Sequence, residues 1–483
     1  MIHSKIPFRG NILVLGFGSV AKCTLPLLLR HLDVSPKQIT VVDMADVRVF
    51  LTDLLKQGLT FRQEKLEEAS LGRQLAALVK RGDLIVDLAW NIGCIDLLTW
   101  CHENGVLYVN TSVELWDPYK EDPDPCARTL YVRHMAIREL IRSWKDKPGP
   151  TAVIEHGANP GLVSHFTKVA LLDIGERLCN EKPGDLRRNA IDHAMRYENF
   201  AELASLLNVQ TIHISEIDTQ VTNTPHDPNT FLNTWSVEGF HEEGVAPAEM
   251  GWGTHERTMP KNGHAHTSGP RNQICLDSFS INTFVKSRVP SQEIVGMVIR
   301  HGEAFTLSDA LTLWNRDGTA SYRPTVHYAY CPCVEALRAL EDLRNNNYVM
   351  QEKWRVMQDE ITGGADELGV LLMGHDYTAW WMGSVLDIQE ARALVPGQNA
   401  TTLQVAVSVL AAVCWIIRNP EEGVNIPDQL PHRDILKVAA PYLGKLPSVP
   451  IDWTPTGKKA DADTWQFANF LTEEKPHGKV FKP

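Results

Sequence analysis

Residues 1–160 alternate short, continuously apolar runs with longer stretches whose apolar positions recur every three or four residues. The runs at 11–15, 38–43, 59–62, 83–88 and 106–110 read as strands covered on both faces, because a strand with one wet face would alternate instead. The segments between them predict helices, among them Val20–His31, Leu71–Lys80 and Ile95–Glu103. This alternation predicts a doubly wound parallel sheet with right-handed crossovers, an α/β fold. A further strand, Thr151–Glu155, leads into His156-Gly157-Ala158-Asn159-Pro160-Gly161 and a helix from Leu162 to Leu172.

Beyond about residue 180 the pattern changes. β-type segments such as Gln210–Glu216 and Leu368–Met373 appear, and tryptophan, histidine and acids grow dense. Residues 161–395 therefore read as a second, α+β domain for substrate binding and dimerisation. The stretch 256–271 is polar and rich in His, Gly and Pro, so it is expected to be a loop or lid. Asn399–Arg418 is a long apolar helix, and 396–430 is expected to return to the first domain. The remainder, 431–483, reads as a C-terminal extension. Its Pro/Lys-rich part, 447–483, is expected to wrap the surface or a partner irregularly.

The first strand runs straight into Gly16-Phe17-Gly18-Ser19-Val20-Ala21, the G-x-G-x-x-A form of a dinucleotide fingerprint, in the strand–turn–helix context that gives it meaning. Gly16 permits the turn, Gly18 clears space for a pyrophosphate, and the amides of Ser19 and Val20 open a helix whose positive end faces the phosphates. These features identify a Rossmann-type nucleotide domain. The second strand ends in Asp43, placed to accept ribose hydroxyls and to repel a 2′-phosphate, which favours NAD; Arg48 nearby keeps NADP as the lesser option. Ligands on such sheets bind beyond the carboxyl ends of the strands. That rule gathers Asp43, the segment Ala89–Asn91 and Asn110-Thr111-Ser112-Val113-Glu114 around one crevice; Asn159 and Pro160 are further cofactor-binding candidates.

Composition narrows the function. The net charge of −12 argues against a nucleic-acid binder and favours cationic ligands. No apolar leader precedes Arg9, and Leu403–Ile417 is slightly short of a membrane span and carries polar residues, so no membrane role is expected. Nine scattered cysteines fit reduced thiols in a cytoplasm. Cys331-Pro332-Cys333 has no second pair at zinc spacing, so it reads as buried thiols and no metal is expected.

The chain has no hydrolase elbow, phosphate loop or H-E-x-x-H run. It does concentrate acids beside aromatics, in Asn233-Thr-Trp235-Ser-Val-Glu238-Gly-Phe-His-Glu242-Glu243, in Ile212–Glu216 and in Gly363–Gly369. Such a set suits an aliphatic cation charged at both ends. At about 4 Å and an effective dielectric near 20, each ion pair contributes roughly 4 kcal/mol before desolvation. An indole face adds about 0.5–2 kcal/mol, and it would stabilise an iminium in the same way.

The segments Leu15-Gly-Phe-Gly-Ser19, Gly157-Ala-Asn-Pro-Gly161, Asn233-Thr-Trp-Ser-Val-Glu-Gly-Phe240, Gly251-Trp-Gly-Thr254, Tyr322-Arg-Pro-Thr325, His327-Tyr-Ala-Tyr330, Asp366-Glu-Leu-Gly-Val-Leu-Leu372 and Asp452-Trp-Thr-Pro455 span nearly the whole chain. On these residues the chain resembles the bacterial homospermidine synthases of the saccharopine dehydrogenase-like group. The resemblance implies a homodimer that joins two putrescines, with spermidine as a second candidate substrate, through an imine. NAD would act as a retained redox group, its hydride borrowed and returned. It implies Trp235 as a cation–π face near the reacting carbon, Glu216 and Glu243 as holders or deprotonators of amines, and Asn159 between nicotinamide and substrate. His301 and Glu303 match a family His-x-Glu, and Glu114, Glu238 and Asp366 complete an acidic lining. Asn91 departs from the family pattern, which places an acid there, so a charge role at that position is not expected.

Two other readings remain open at this stage. One is an NAD(P)-dependent dehydrogenase of the saccharopine or carboxynorspermidine type, which needs a basic residue such as Arg323 for a substrate carboxylate. The other is a relative without activity that binds NAD as a sensor or scaffold.

Overall fold

A computed structural model describes residues 5–120, 122–145 and 148–477; the last residues of the C-terminal extension, 478–483, lie outside them. The chain divides into two compact units. One comprises the described residues up to 120, Arg133–Leu162 and Ala391–Tyr442; the other comprises Asp122–Val132, Val163–Glu390 and the chain from Leu443 onward.

The first unit is built on strands β1 (Ile12–Leu15), β2 (Ile39–Asp43), β3 (Thr60–Gln63), β4 (Leu84–Asp87), β5 (Leu107–Asn110) and β6 (Ala152–Val153). Their order is β6-β5-β4-β1-β2-β3, with Val424–Asn425 added beside β6, and every pairing is parallel. The order reverses beside β1, which is the switch point where such sheets bind nucleotides. β1, β4 and β5 are buried along their whole lengths, as their unbroken apolar runs require. The expected α/β class with a Rossmann-type sheet is the observed one. Two further helices lie between strands, Arg48–Lys56 and Leu130–Ser143, neither given bounds in advance. The first buries only Leu51, so its apolar pattern is faint. The helix expected at Leu71–Lys80 ends at Ala76, and that expected at Leu162–Leu172 continues to Glu181.

Ala400–Arg418 forms the expected long helix, capped by Asn399, whose side chain accepts the Thr402 amide at 2.7 Å. Among the described residues it is the one helix long and apolar enough to cross a membrane, and it is mostly buried inside the protein. It packs on the helix Ser19–His31 and on β5 and β6, within the nucleotide unit.

The second unit holds a ten-stranded sheet centred on β7 (Thr211–Asp218), β8 (Thr325–Cys331), β9 (Ala365–Met373) and β10 (Ala379–Asp387). β8 runs parallel to β7; β9 runs antiparallel to β7 and to β10. Three expectations change here. The polar stretch 256–271 supplies an edge strand, Gly263–Ala265, paired with Gln273–Phe279. The extension is no irregular wrap, because Ser448–Ile451 pairs with β10 while Trp453, Trp465, Phe467 and Phe470 enter the core. The scattered apolar residues of that segment outweigh its Pro/Lys composition. Lastly, 122–132 leaves the nucleotide unit. The buried carboxylate of Glu249 accepts the Leu130 amide at 2.8 and 3.0 Å, and the Tyr131 hydroxyl donates to the Ser268 carbonyl at 2.5 Å.

Candidate active site

In the nucleotide unit, Gly16 and Gly18 differ in what forces them to be glycine. Gly16 has φ +74, and a Cβ there would lie 2.7 Å from Ala89 Cα and 2.8 Å from the Leu88 carbonyl oxygen. The fold itself therefore requires glycine. Gly18 has ordinary dihedrals, is exposed, and has nothing within 4 Å of a built Cβ. It precedes the helix Ser19–His31 without a side-chain cap. The first backbone bond of that helix is Lys22 N–H to the Gly18 carbonyl, so the amides of Ser19 and Val20 make no intrahelical bond. An open space before uncapped amides is a cradle for an anion.

Asp43 accepts the Phe17 amide at 2.7 Å through one oxygen and the Ala45 amide at 2.7 Å through the other. It thus pins the glycine turn to the end of β2, and its remaining lone pairs suit ribose hydroxyls. Arg48 is held by Asp46 through Nε to Oδ1 at 2.8 Å and Nη2 to Oδ2 at 2.6 Å. Its charge is already matched, which weakens the case for a 2′-phosphate.

The other predicted residues of this unit follow the same sheet edge. Asn91, after β4, is half-buried at φ 57, and its buried Oδ1 has no partner among the described residues. Thr111, after β5, is half-buried, with its Cβ 3.6 Å from where a Cβ on Gly157 would stand. Glu114 is buried and accepts the Ser112 hydroxyl at 2.6 Å. Asn159 and buried Pro160 are joined by a cis peptide in a tight loop, closed by the Gly157 amide on the Pro160 carbonyl at 2.7 Å. The open cradle at Gly18, the pinned Asp43 and the unsatisfied Asn91 oxygen fit a dinucleotide at this edge.

Sequence reasoning missed the network beneath this edge. Asp87, fully buried at the end of β4, accepts the Tyr108 hydroxyl at 2.7 Å; that hydroxyl accepts Asn110 Nδ2 at 3.0 Å, and Asn110 Oδ1 accepts the Glu155 amide at 2.8 Å. Burial pushes the Asp87 carboxyl up to about 7. Glu155 then pairs with His134 at 2.8 Å. Asp87, Tyr108 and Glu155 lie inside runs that read simply as strand and His134 lies in no quoted segment, so nothing local marked the network.

The second unit gathers the acids. Cross-strand partners set Tyr330 of β8 beside Glu216 of β7, and Asp366 of β9 beside Asp218. Glu216 and Asp218, two residues apart, share one face of the sheet. All three carboxylates are buried. Glu216 accepts the Tyr328 hydroxyl. Asp218 accepts the Thr234 hydroxyl at 2.6 Å and the Gln220 amide at 2.8 Å, and burial pushes it up to about 6. Asp218 was not singled out from sequence, although strand periodicity from Glu216 offered the signal.

Trp235 is half-buried, and its indole N–H donates to the Tyr330 hydroxyl at 3.1 Å. Ser236 caps the next helix, Val237–Gly244, by accepting the Gly239 amide at 3.1 Å. That helix carries Glu238, whose carboxyl burial pushes up, together with Glu242 and Glu243. Glu242 is a buried ion-pair partner of Arg300. Glu243 lies 3.5 Å from His301 Nε2. Burial, aided by the neighbouring Arg300 charge, pushes His301 down to about 3, so its imidazole is neutral. The His301 ring stands 4.5 Å from the Tyr328 ring. Glu303, two residues on, is buried in the first turn of Glu303–Ala310.

Trp235, Glu216, His301 and Glu243 are thus joined through two tyrosines, while Asp366 joins Asp218 on the same sheet face. Glu238 and Glu303 lie on the neighbouring helices. Arg323 stands apart from this set. Its Nε donates to the Thr312 hydroxyl at 3.0 Å, and its guanidinium lies 5.3 Å from the Trp314 ring. Cys331 and Cys333 are free and buried, and no metal-binding group of three or more His, Cys, Asp or Glu occurs among the described residues.

Residues 12–153 match the family described as Saccharopine dehydrogenase NADP binding domain, and 157–451 match Saccharopine dehydrogenase C-terminal domain. The chain is 39% identical over 479 residues to a homospermidine synthase from Mesorhizobium japonicum, covering 96% of each chain. It is 39% identical over 482 residues to that of Blastochloris viridis, covering 96% of this chain and 98% of the relative. The crystal structure of the Legionella pneumophila homospermidine synthase in complex with NAD matches with a TM-score of 0.84 and 36% identity, over 97% of this chain and 99% of that one. An anion cradle on a Rossmann sheet and an acid-lined second unit thus meet full-length likeness to these enzymes: the chain belongs to the homospermidine synthase family and is an NAD-dependent enzyme of that type.

Proposed function

We propose that the enzyme converts two putrescines to sym-homospermidine and ammonia. The observation that carries this reading is the buried carboxylate face of Glu216, Asp218 and Asp366 beside the tethered indole of Trp235. Carboxylates select an aliphatic diamine by its charge. A π face stabilises a cationic carbon centre without trapping it covalently.

Glu216 and Glu243 hold the ammonium ends and take up the proton that must leave an amine before its neighbouring carbon is oxidised. His301, being neutral, offers Nε2 to Glu243 as a relay for that proton. Trp235 faces the iminium that follows. Glu238, Glu303 and Asp366 complete the negative lining of the second unit, and Glu114 is proposed as a further substrate-binding acid of the nucleotide unit. In the nucleotide unit Gly16, Gly18, Ser19, Val20, Asp43, Asn91, Thr111, Asn159 and Pro160 hold the cofactor. NAD, when bound, supplies the acceptor for a hydride and later gives the same hydride back, so no net oxidation occurs. The second putrescine attacks the imine carbon and ammonia leaves, which balances the reaction. Deep burial of Phe240 and Tyr330 keeps water from the imine.

The test is the purified enzyme with putrescine and a catalytic amount of NAD. Homospermidine and ammonia without accumulating NADH are expected; NADH in proportion to substrate consumed overturns the reading in favour of a dehydrogenase. The engaged side chain of Arg323 already argues against a substrate carboxylate there. Spermidine is tested in the same assay as a second aminobutyl source. The enzyme is proposed to act as a cytoplasmic homodimer, with sedimentation and cell fractionation as the checks.

A further inference from the structure

Between the proposed cation face and the proposed carboxylate stand two side chains with no assigned part, Tyr328 and Tyr330. Both lie on β8, two residues apart, and so share the sheet face that carries Glu216 and Asp218. Their rings stack with centroids 5.2 Å apart and planes 15° from parallel. Both are buried, at 3% and 0% exposure. Each hydroxyl meets a different group of the site. Tyr330 accepts the Trp235 indole N–H at 3.1 Å; Tyr328 donates to Glu216. The Tyr328 ring also packs against His301, the neighbour of Glu243.

The indole bond matters because an aromatic ring attracts a cation only through its face. Rotation about the Cβ–Cγ bond has broad wells. Turning the ring over would strip its N–H of the Tyr330 oxygen, so the bond selects one orientation of the face. The carboxylate bond matters for a second reason. A hydroxyl donating to a carboxylate favours its charged form and opposes the burial that would neutralise it.

We propose that Tyr328 and Tyr330 are positioning residues for the diamine: Tyr330 fixes the direction of the Trp235 face, and Tyr328 keeps Glu216 oriented and ionised beneath it. The assignment rests on the polyamine reading above, and it adds residues that act only through Trp235 and Glu216. Any phenol removal that merely loosened the sheet would act whichever residue stood at 235.

That distinction supplies the test. Tyr330→Phe is expected to lower kcat/KM for putrescine about fivefold, the worth of one hydrogen bond. In a Trp235→Phe background, which has no ring N–H, the same change is expected to cost nothing further. Tyr328→Phe is expected to move the acid limb of the kcat/KM profile upward by about one pH unit, whereas Tyr330→Phe leaves that limb in place. Equal losses from Tyr330→Phe in both backgrounds, or an unmoved limb in Tyr328→Phe, overturn the proposal while leaving the polyamine reading intact. Product analysis and putrescine calorimetry on the NAD-loaded wild type test that reading separately. If the wild type binds putrescine without making homospermidine, the same cycle is read as putrescine affinity. If it neither binds nor converts putrescine, both proposals fall.

Discussion

The turn at Gly16–Val20 and the strand Thr211–Asp218 solve opposite electrostatic problems with opposite materials. In the nucleotide unit an anion is met by backbone amides, and the residues that matter are those that keep side chains away: Gly16 because Ala89 crowds it, and Gly18 because the space beyond it is open. In the second unit the proposed cation is assigned to side chains brought from four places, the strands at 211–218, 325–331 and 365–373 and the helix at 237–244. Backbone recognition is local, so the six residues Gly16–Ala21 contain it. Side-chain recognition is distributed, and each acid is one among 59 in the chain. The burial cost differs too. Asp87, buried without a cation, is pushed up to about 7, whereas Glu242 is buried against Arg300.

This contrast can be broken most sharply at the two glycines. Gly16→Val places Cβ against backbone that cannot yield, at a positive φ, so loss of folded protein is expected on expression and melting. Gly18→Val should melt like the wild type yet lose NAD affinity by about a hundredfold or more, read by calorimetry, because its side chain fills only the cradle. Native-like NAD binding in Gly18→Val would place the phosphates elsewhere.

Next in size are changes to the cation side. Glu243→Gln should lose turnover about a hundredfold while keeping NAD, if proton transfer is its task. Loss of the cofactor or of the fold would make it structural. Trp235→Ala should lower kcat/KM roughly thirtyfold, and Trp235→Phe by less, since a phenyl face retains part of the cation–π attraction. Equal activity in the alanine variant removes the indole from the mechanism.

The smallest effect concerns a carboxylate outside the cation set. The Glu256 side chain is buried, accepts the Thr325 hydroxyl at 2.7 Å and the Phe467 amide at 3.0 Å, and is pushed up to about 7 by that burial. A carboxyl raised in the folded state binds its proton there more readily than in the unfolded chain. Stability therefore falls as pH rises from about 4.5 to 7, by at most ~3 kcal/mol, and is level in this respect above that window. Glu256→Gln should flatten that slope in melting curves taken between pH 5 and 8. An unchanged slope assigns it to other groups, Asp87 first.

How far these features could be read in advance follows from the same contrast. The parallel sheet, the glycine turn and the helix Ala400–Arg418 were legible because unbroken apolar runs and a strand–glycine–helix sequence have few other uses. Trp235, Glu216 and Glu243 stood out through motifs shared with a known family, and spacing alone did not single them out. Asp218, Tyr328 and Tyr330 were missed although they sit inside or beside quoted segments, since their roles depend on which strands become neighbours. The core tail was missed because four aromatic residues spread over Trp453–Phe470 show no period.

The division of the chain also bears on its synthesis. The nucleotide sheet lacks its edge strand until Val424–Asn425 has been made, and the second sheet waits for Ser448–Ile451 and the aromatic residues after it. Each half therefore completes its sheet only with residues beyond 420. Nascent chains released early should therefore be proteolysed in both halves, and no stable fragment ending between them is expected.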